Sequence, residues 1–260
     1  MNSALAPGLS AEALASLDGE VHVWSALVDD VRALAPANAA DRWLDDAERE
    51  RHVRFRRGED AELFLLARGL LRHVLSQFAD VEPGAWRFRQ DPGGRPALDA
   101  PFTALPLRFS VSHTPGLVAC AVCAGVDVGL DVEGAGRISD VSKMAGLVCS
   151  PEELRALDRM SPRERNACFH ELWTLKEAYV KARGSGLAEP VSHVTFRQDS
   201  AGITAQFAHP IDDDPADWQF TAWRPSPGHC GALAVRRGAG PDLRPVFRTG
   251  FPPHVGHAGG

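Results

Sequence analysis

Apolar residues recur along this chain with two periods. Leu63, Ala67, Leu70, Leu71, Val74, Leu75 and Phe78 are spaced by three and four residues, which predicts an amphipathic helix over Asp60–Phe78. Phe169, Leu172, Trp173 and Val180 repeat that spacing in the second half. Ser161-Pro162-Arg163-Glu164 carries a helix start signal ahead of them, and Gly184 and Gly186 stop the helix. Ser150-Pro151-Glu152-Glu153 is a second start of the same kind, with Ser150 as N-cap and Pro151 at the first helical position. A further helix is expected over Ile138–Leu147, and Asp41–Arg51 is a polar run of helix formers. Strands are expected at Glu20–Val28, Ala85–Arg89, Leu107–Ser112, Leu117–Ala124 and Val126–Glu133, and again at Val191–Arg197, Gly202–Phe207, Trp218–Trp223 and His229–Val235. Asp91–Pro96 and His113–Gly116 read as turns. Residues 1–18 read as a loose lead-in, and the Gly- and Pro-rich stretch from 238 to 260 as a flexible tail.

Each half thus holds one long helix and several closely spaced strands, which predicts an α+β fold. The expected architecture is a pseudo-two-fold pair of similar lobes, each a long helix on an antiparallel sheet, with the active site in the cleft between them. The boundaries fall at 1–128, 129–237 and 238–260. The strands over 107–133 read as one antiparallel meander, and Glu133 would end it at the lobe junction.

Composition narrows the class. With 260 residues, 44% of them hydrophobic, the chain can bury a sizeable core. No stretch has the apolar length of a membrane span, and no basic region followed by an apolar run opens the chain, so a cytoplasmic protein without membrane attachment is expected. The five cysteines have no framework spacing and are expected to be reduced. Cys120-x-x-Cys123 stands alone in an apolar strand, where positions three apart face opposite sides, which argues against a metal or redox pair. A net charge of −6 disfavours nucleic acid as a partner but allows a local basic pocket.

Two acidic groups carry the candidate chemistry. Asp131 and Glu133 are i,i+2 on a strand and share a face. Two such carboxylates repel unless a cation lies between them, and their oxygens suit Mg²⁺ or Mn²⁺. On the central helix Trp173, Glu177, Lys181 and Gly184 fall nearly on one line, so Glu177 could supply a third ligand. The bland readings are a solvated strand face and a surface Glu–Lys pair worth a few tenths of a kcal/mol. Ser112-His113 ends a strand without a Gly-x-Ser-x-Gly elbow, so a serine hydrolase is disfavoured. Arg51, Arg54, Arg56 and Arg57 cluster ahead of the first long helix.

Phe109-x-x-Ser112-His113, Gly129-x-Asp131-x-Glu133 and Trp173-x-x-Lys176-Glu177-Ala178-x-x-Lys181 together resemble the 4′-phosphopantetheinyl transferase superfamily, in its single-chain, two-lobe, Sfp-like branch. The resemblance runs from about Glu48 to Val235. It implies transfer of the phosphopantetheine arm of coenzyme A to a serine of an apo acyl or peptidyl carrier protein, with adenosine 3′,5′-bisphosphate leaving. It implies Mg²⁺ on Asp131, Glu133 and Glu177, with Glu177 also as base and Lys181 at the leaving phosphate. Ser112 and His113 would meet the nucleotide, His113 and Arg51 its 3′-phosphate, and Gly94-Arg95-Pro96 would turn near the adenosine. A monomer is expected, since both lobes lie on one chain. The chain departs from the family pattern at Ser110, where Asn is usual, at Arg95, where Lys is usual, and in the tail after Val235. Two other readings stay open: a Mg²⁺-dependent nucleotide phosphohydrolase using the same acids, and a non-catalytic carrier-binding module.

Overall fold

The computed structural model describes residues 11–134, 141–186 and 189–252, and divides the chain into two compact units that meet in sequence between Gly125 and Val126. The first unit opens with α1 (Ala11–Leu17), so the expected lead-in is helical where it is described. Then come β1 (Glu20–Leu27), α2 (Val28–Leu34), α3 (Ala39–Trp43), α4 (Asp46–Val53) and α5 (Gly58–Leu75). The short strands β2 (Phe88–Gln90) and β3 (Pro96–Leu98) form a hairpin over the expected Asp91–Pro96 turn. The strands β4 (Leu107–Thr114) and β5 (Leu117–Ala124) pair antiparallel. Leu63, Ala67, Leu70, Leu71, Val74 and Leu75 are all buried on α5, which packs on β5 and β4 as its spacing requires.

The second unit contains β6 (Asp127–Gly134), α6 (Val141–Val148), α7 (Pro151–Leu157), α8 (Pro162–Arg183), β7 (Val194–Asp199), β8 (Gly202–Phe207), β9 (Trp218–Ser226) and β10 (His229–Arg236). The start of the helix expected from Ile138 lies outside the described residues. Both serine start signals are full capping boxes: Ser150 with Glu153 opens α7, and Ser161 with Glu164 opens α8. Such caps are each worth about 1 kcal/mol. Gly184 ends α8 with φ 74°, a left-handed conformation that costs glycine little. The five strands are ordered β6-β10-β9-β8-β7, with β6 at the edge, and α8 packs on β6 and β10.

Two expectations about the strands are corrected. The meander over 107–133 breaks after its second strand: β4 and β5 belong to the first unit's sheet, whereas β6 pairs with β10 more than ninety positions later. Gly125, at φ 74°, stands at that break. The expected tail from 238 carries a strand, β11 (Arg244–Thr249), which returns to the first unit and pairs parallel with β1. The first sheet, ordered β11-β1-β5-β4, is therefore mixed rather than antiparallel. A strand containing Pro245 is tolerated there because β11 is an edge strand. No helix among the described residues is long and apolar enough to cross a membrane.

Candidate active site

Gly129, Asp131 and Glu133 alternate along β6 and so share one of its faces. The helix α8 lies against that face at unusually short range. A Cβ placed on Gly129 would stand 1.9 Å from the carbonyl oxygen of Ala178 and 2.4 Å from the backbone nitrogen of Ala182. Only glycine permits this approach, and the approach brings short acidic side chains of the strand within reach of the helix. Lys181 Nζ donates to Asp131 Oδ1 at 2.7 Å, and Trp173 Nε1 donates to Glu133 Oε1 at 3.2 Å. Trp173, Glu177 and Lys181 are one turn apart, so Glu177 stands between those two contacts.

Burial rules out the bland reading of a solvated acidic face. Asp131 is 5% exposed and Glu133 8%. Carboxylates are rarely so enclosed without compensating partners. The Glu177 carboxyl is held above the usual carboxylate range by burial first and by the charge on Asp131 next; Lys181 partly opposes this and Glu133 adds to it. Three carboxylates facing one ammonium leave a formal excess of two negative charges. An all-oxygen donor set with that excess fits a hard divalent cation. As the side chains stand, no three His, Cys, Asp or Glu among the described residues converge as a metal cage. Lys181 instead supplies a positive charge at Asp131.

Lys176, which belongs to the same sequence motif, serves a different purpose. Its ammonium is 1% exposed, pairs with Glu153 at 2.9 Å and donates to the carbonyl of Val191 at 3.0 Å. Glu153 in turn accepts from the backbone N–H of Phe196 at 2.8 Å. Lys176 thus pins α8 to α7 and the start of β7 and takes no part in the acidic cluster.

The remaining expected site residues lie in the first unit. The strand β4 runs through His113 and Thr114, so the turn is shorter than expected. Its alternation puts Ser112 on the buried face, with Ser110 and Thr114, and His113 on the exposed face. Gly94 adopts φ 82° in the β2–β3 turn, and Arg95 folds back, its Nε donating to Asp91 Oδ2 at 2.8 Å. Pro96 opens β3. Arg51 is exposed on α4, with its guanidinium 5.2 Å from the ring centre of Phe64. Arg54 pairs with Glu50 at 3.1 Å on the surface, and Arg56 and Arg57 are exposed.

Sequence reasoning missed the group beneath Arg51. Arg68 lies 5.3 Å from the Phe64 ring centre, and its Nε is 3.2 Å from Glu48 Oε1. Arg72, fully buried, donates to the other oxygen of Glu48. Burial lowers the affinity of both guanidinium groups for their protons, and Glu48 opposes this. The available signal was the Asp45-x-x-Glu48 capping box that opens α4, which places Glu48 on the inner side of the helix.

Comparison with known proteins completes the picture. Residues 127–234 match the family described as the 4′-phosphopantetheinyl transferase superfamily, and residues 35–125 match the family described as 4′-phosphopantetheinyl transferase, N-terminal. The chain is 34% identical over 234 residues to the 4′-phosphopantetheinyl transferase HetI of Nostoc sp., covering 90% of this chain and 94% of that one. It is 27% identical over 203 residues to the 4′-phosphopantetheinyl transferase Sfp of Bacillus subtilis, covering 77% and 84%. A glycine-seated helix, a buried acidic strand face and a similarity that spans nearly the whole of a relative lead to one assignment: the chain belongs to the 4′-phosphopantetheinyl transferase superfamily.

Proposed function

We propose that the acidic face of β6 and the facing turns of α8 are the reaction centre of this transferase. The enzyme moves the 4′-phosphopantetheine arm of coenzyme A to a serine of an apo carrier protein and releases adenosine 3′,5′-bisphosphate. The observation that carries the site assignment is the enclosed set Asp131, Glu133, Glu177 and Lys181, held together by the close seat of α8 on Gly129. Phosphoryl transfer depends on alignment and charge neutralisation more than on covalent help. A cluster of oxygen donors beside one ammonium is suited to that task.

Asp131, Glu133 and Glu177 would hold Mg²⁺, which when bound neutralises charge on the pyrophosphate. Lys181, now on Asp131, stabilises the leaving phosphate by its positive charge. Trp173 orients the Glu133 carboxylate through its indole N–H. Glu177 takes the proton of the carrier serine hydroxyl, directly or through one water. In the first unit, Arg51 and exposed His113 meet the 3′-phosphate, and Ser112 and the Gly94-Arg95-Pro96 turn meet the nucleotide. The enzyme is read as a cytoplasmic monomer, since both sets of residues lie on one chain.

Nucleotide release tests this function. Purified protein with coenzyme A and Mg²⁺ should release adenosine 3′,5′-bisphosphate only when an apo carrier is added. Release at the same rate without the carrier would identify a phosphohydrolase and overturn the reading. A carrier that binds with no release would identify a non-catalytic module.

A further inference from the structure

The second unit has a cavity that the acidic cluster does not use. It measures about 490 Å³, within the range of small-ligand sites, and is walled by Arg163, Asn166 and His170 of α8, Arg224 of β9 and Cys230 of β10. His170 is 3% exposed. Its Nδ1 lies 2.8 Å from the backbone carbonyl of Asn166. A carbonyl only accepts, so Nδ1 carries the hydrogen and Nε2 of the neutral ring presents a lone pair. That Nε2 is buried and has no hydrogen-bond partner among the described residues. A buried acceptor without a donor costs about 1–3 kcal/mol, which a bound donor would recover. Arg163 and Arg224 in the same wall are pure donors, and Arg224 also donates to Glu171 of α8.

An acceptor and donors in the wall of one cavity match an amide, which offers an N–H and a carbonyl oxygen together. A simple oxyanion would engage Arg163, compete with Glu171 for Arg224 and leave Nε2 unmet. Position points the same way. Cys230 pairs with Glu133 across the β10–β6 ladder, and its Sγ lies 3.6 Å from the Glu133 carbonyl oxygen. His170 is seven residues before Glu177 on α8, a rise of about 10 Å. The phosphopantetheine arm carries two amides and, counted as extended backbone atoms, reaches on the order of 15 Å from its phosphate.

We propose that this cavity is a subsite for an amide of the phosphopantetheine arm, with His170 Nε2 accepting its N–H and Arg163 and Arg224 donating to its carbonyl. The assignment rests on the proposed reaction centre. It adds residues that none of the three sequence motifs contains.

The test compares two ligands that differ by the arm. Calorimetry on the full chain with Mg²⁺ measures coenzyme A and adenosine 3′,5′-bisphosphate, for the wild type, His170→Phe and Arg163→Ala. His170→Phe keeps a ring and removes the acceptor. It should weaken coenzyme A about 5- to 150-fold, as loss of one buried hydrogen bond predicts, and leave the bisphosphate unchanged. Arg163→Ala, at an exposed position, should show the same split to a smaller degree, so a misfolded His170 variant would not remove the test. Equal losses for both ligands, or no loss for coenzyme A in either variant, would overturn the subsite. Failure of the wild type to bind the bisphosphate would overturn the nucleotide reading itself, a distinct outcome.

Discussion

Replacing Gly129 with alanine tests the geometry on which the acidic cluster depends. The new methyl carbon would lie 1.9 Å from Ala178 O and 2.4 Å from Ala182 N, whereas ordinary contact begins at 3.4 Å. Both neighbours are backbone atoms of α8, so no side chain can swing aside, and the helix must back off by about 1.5 Å. Overpacking of this kind costs about 1–3 kcal/mol, and more where the obstacle is backbone. At about 2–4 °C per kcal/mol for a chain of this size, the melting temperature should fall by roughly 2–12 °C. The helix carries Glu177 and Lys181 with it, and a displacement of about 1 Å at a reaction centre can cost on the order of 10²-fold in rate. Calorimetry and single-turnover transfer at saturating substrates would be read together. Gly146→Ala is the control: on α6 its Cβ meets nothing within 4 Å, so it should gain about 0.5–1 kcal/mol and leave transfer unchanged. A Gly129→Ala protein with wild-type melting and rate would refute the close-approach argument.

Three further outcomes are expected. Lys176→Met should cost about 3–5 kcal/mol in urea unfolding, because Glu153 is left as an unpaired buried charge, and Glu153→Gln in the same chain should recover part of it. Ending the chain after Leu243 should lower stability and promote self-association on size exclusion, because β1 loses β11 and becomes an open sheet edge. Glu177→Gln should reduce kcat by about 10²–10⁴-fold without rescue by excess Mg²⁺ in single-turnover assays, as loss of a base requires; full rescue would make Glu177 a ligand only.

Legibility in the sequence followed how local each cause was. Ser150 and Ser161 start their helices through contacts three residues away, and both starts were readable. The core face of α5 was readable because its period is intrinsic. Partner choice among strands was not: β5 and β6 are separated by a two-residue turn, yet they belong to different sheets, and β6 takes its partner from β10. Composition pointed away from β11, since Pro245 and nearby glycines suit an edge strand and a loose tail alike. At the site, the shared face of Asp131 and Glu133 followed from alternation, and the helical line of Trp173, Glu177 and Lys181 from the 3.6-residue turn. What sequence could not supply was depth. Nothing local says that Gly129 seats a helix backbone, that Lys176 points into the core, or that His170 walls a cavity, because each depends on residues far away in the chain.

The most direct test of the central claim is the intact mass of an apo carrier protein after incubation with coenzyme A, Mg²⁺ and either the wild-type chain or Asp131→Ala. The wild type should add the mass of one phosphopantetheine arm to the carrier. Asp131→Ala should keep the native circular dichroism spectrum, since it relieves repulsion on Glu177 while Lys181, 28% exposed at its side chain, can turn to solvent when it loses Asp131, and should leave the carrier unmodified. Full modification of the carrier by Asp131→Ala at the wild-type rate would contradict the assignment of the β6 acidic face as the reaction centre.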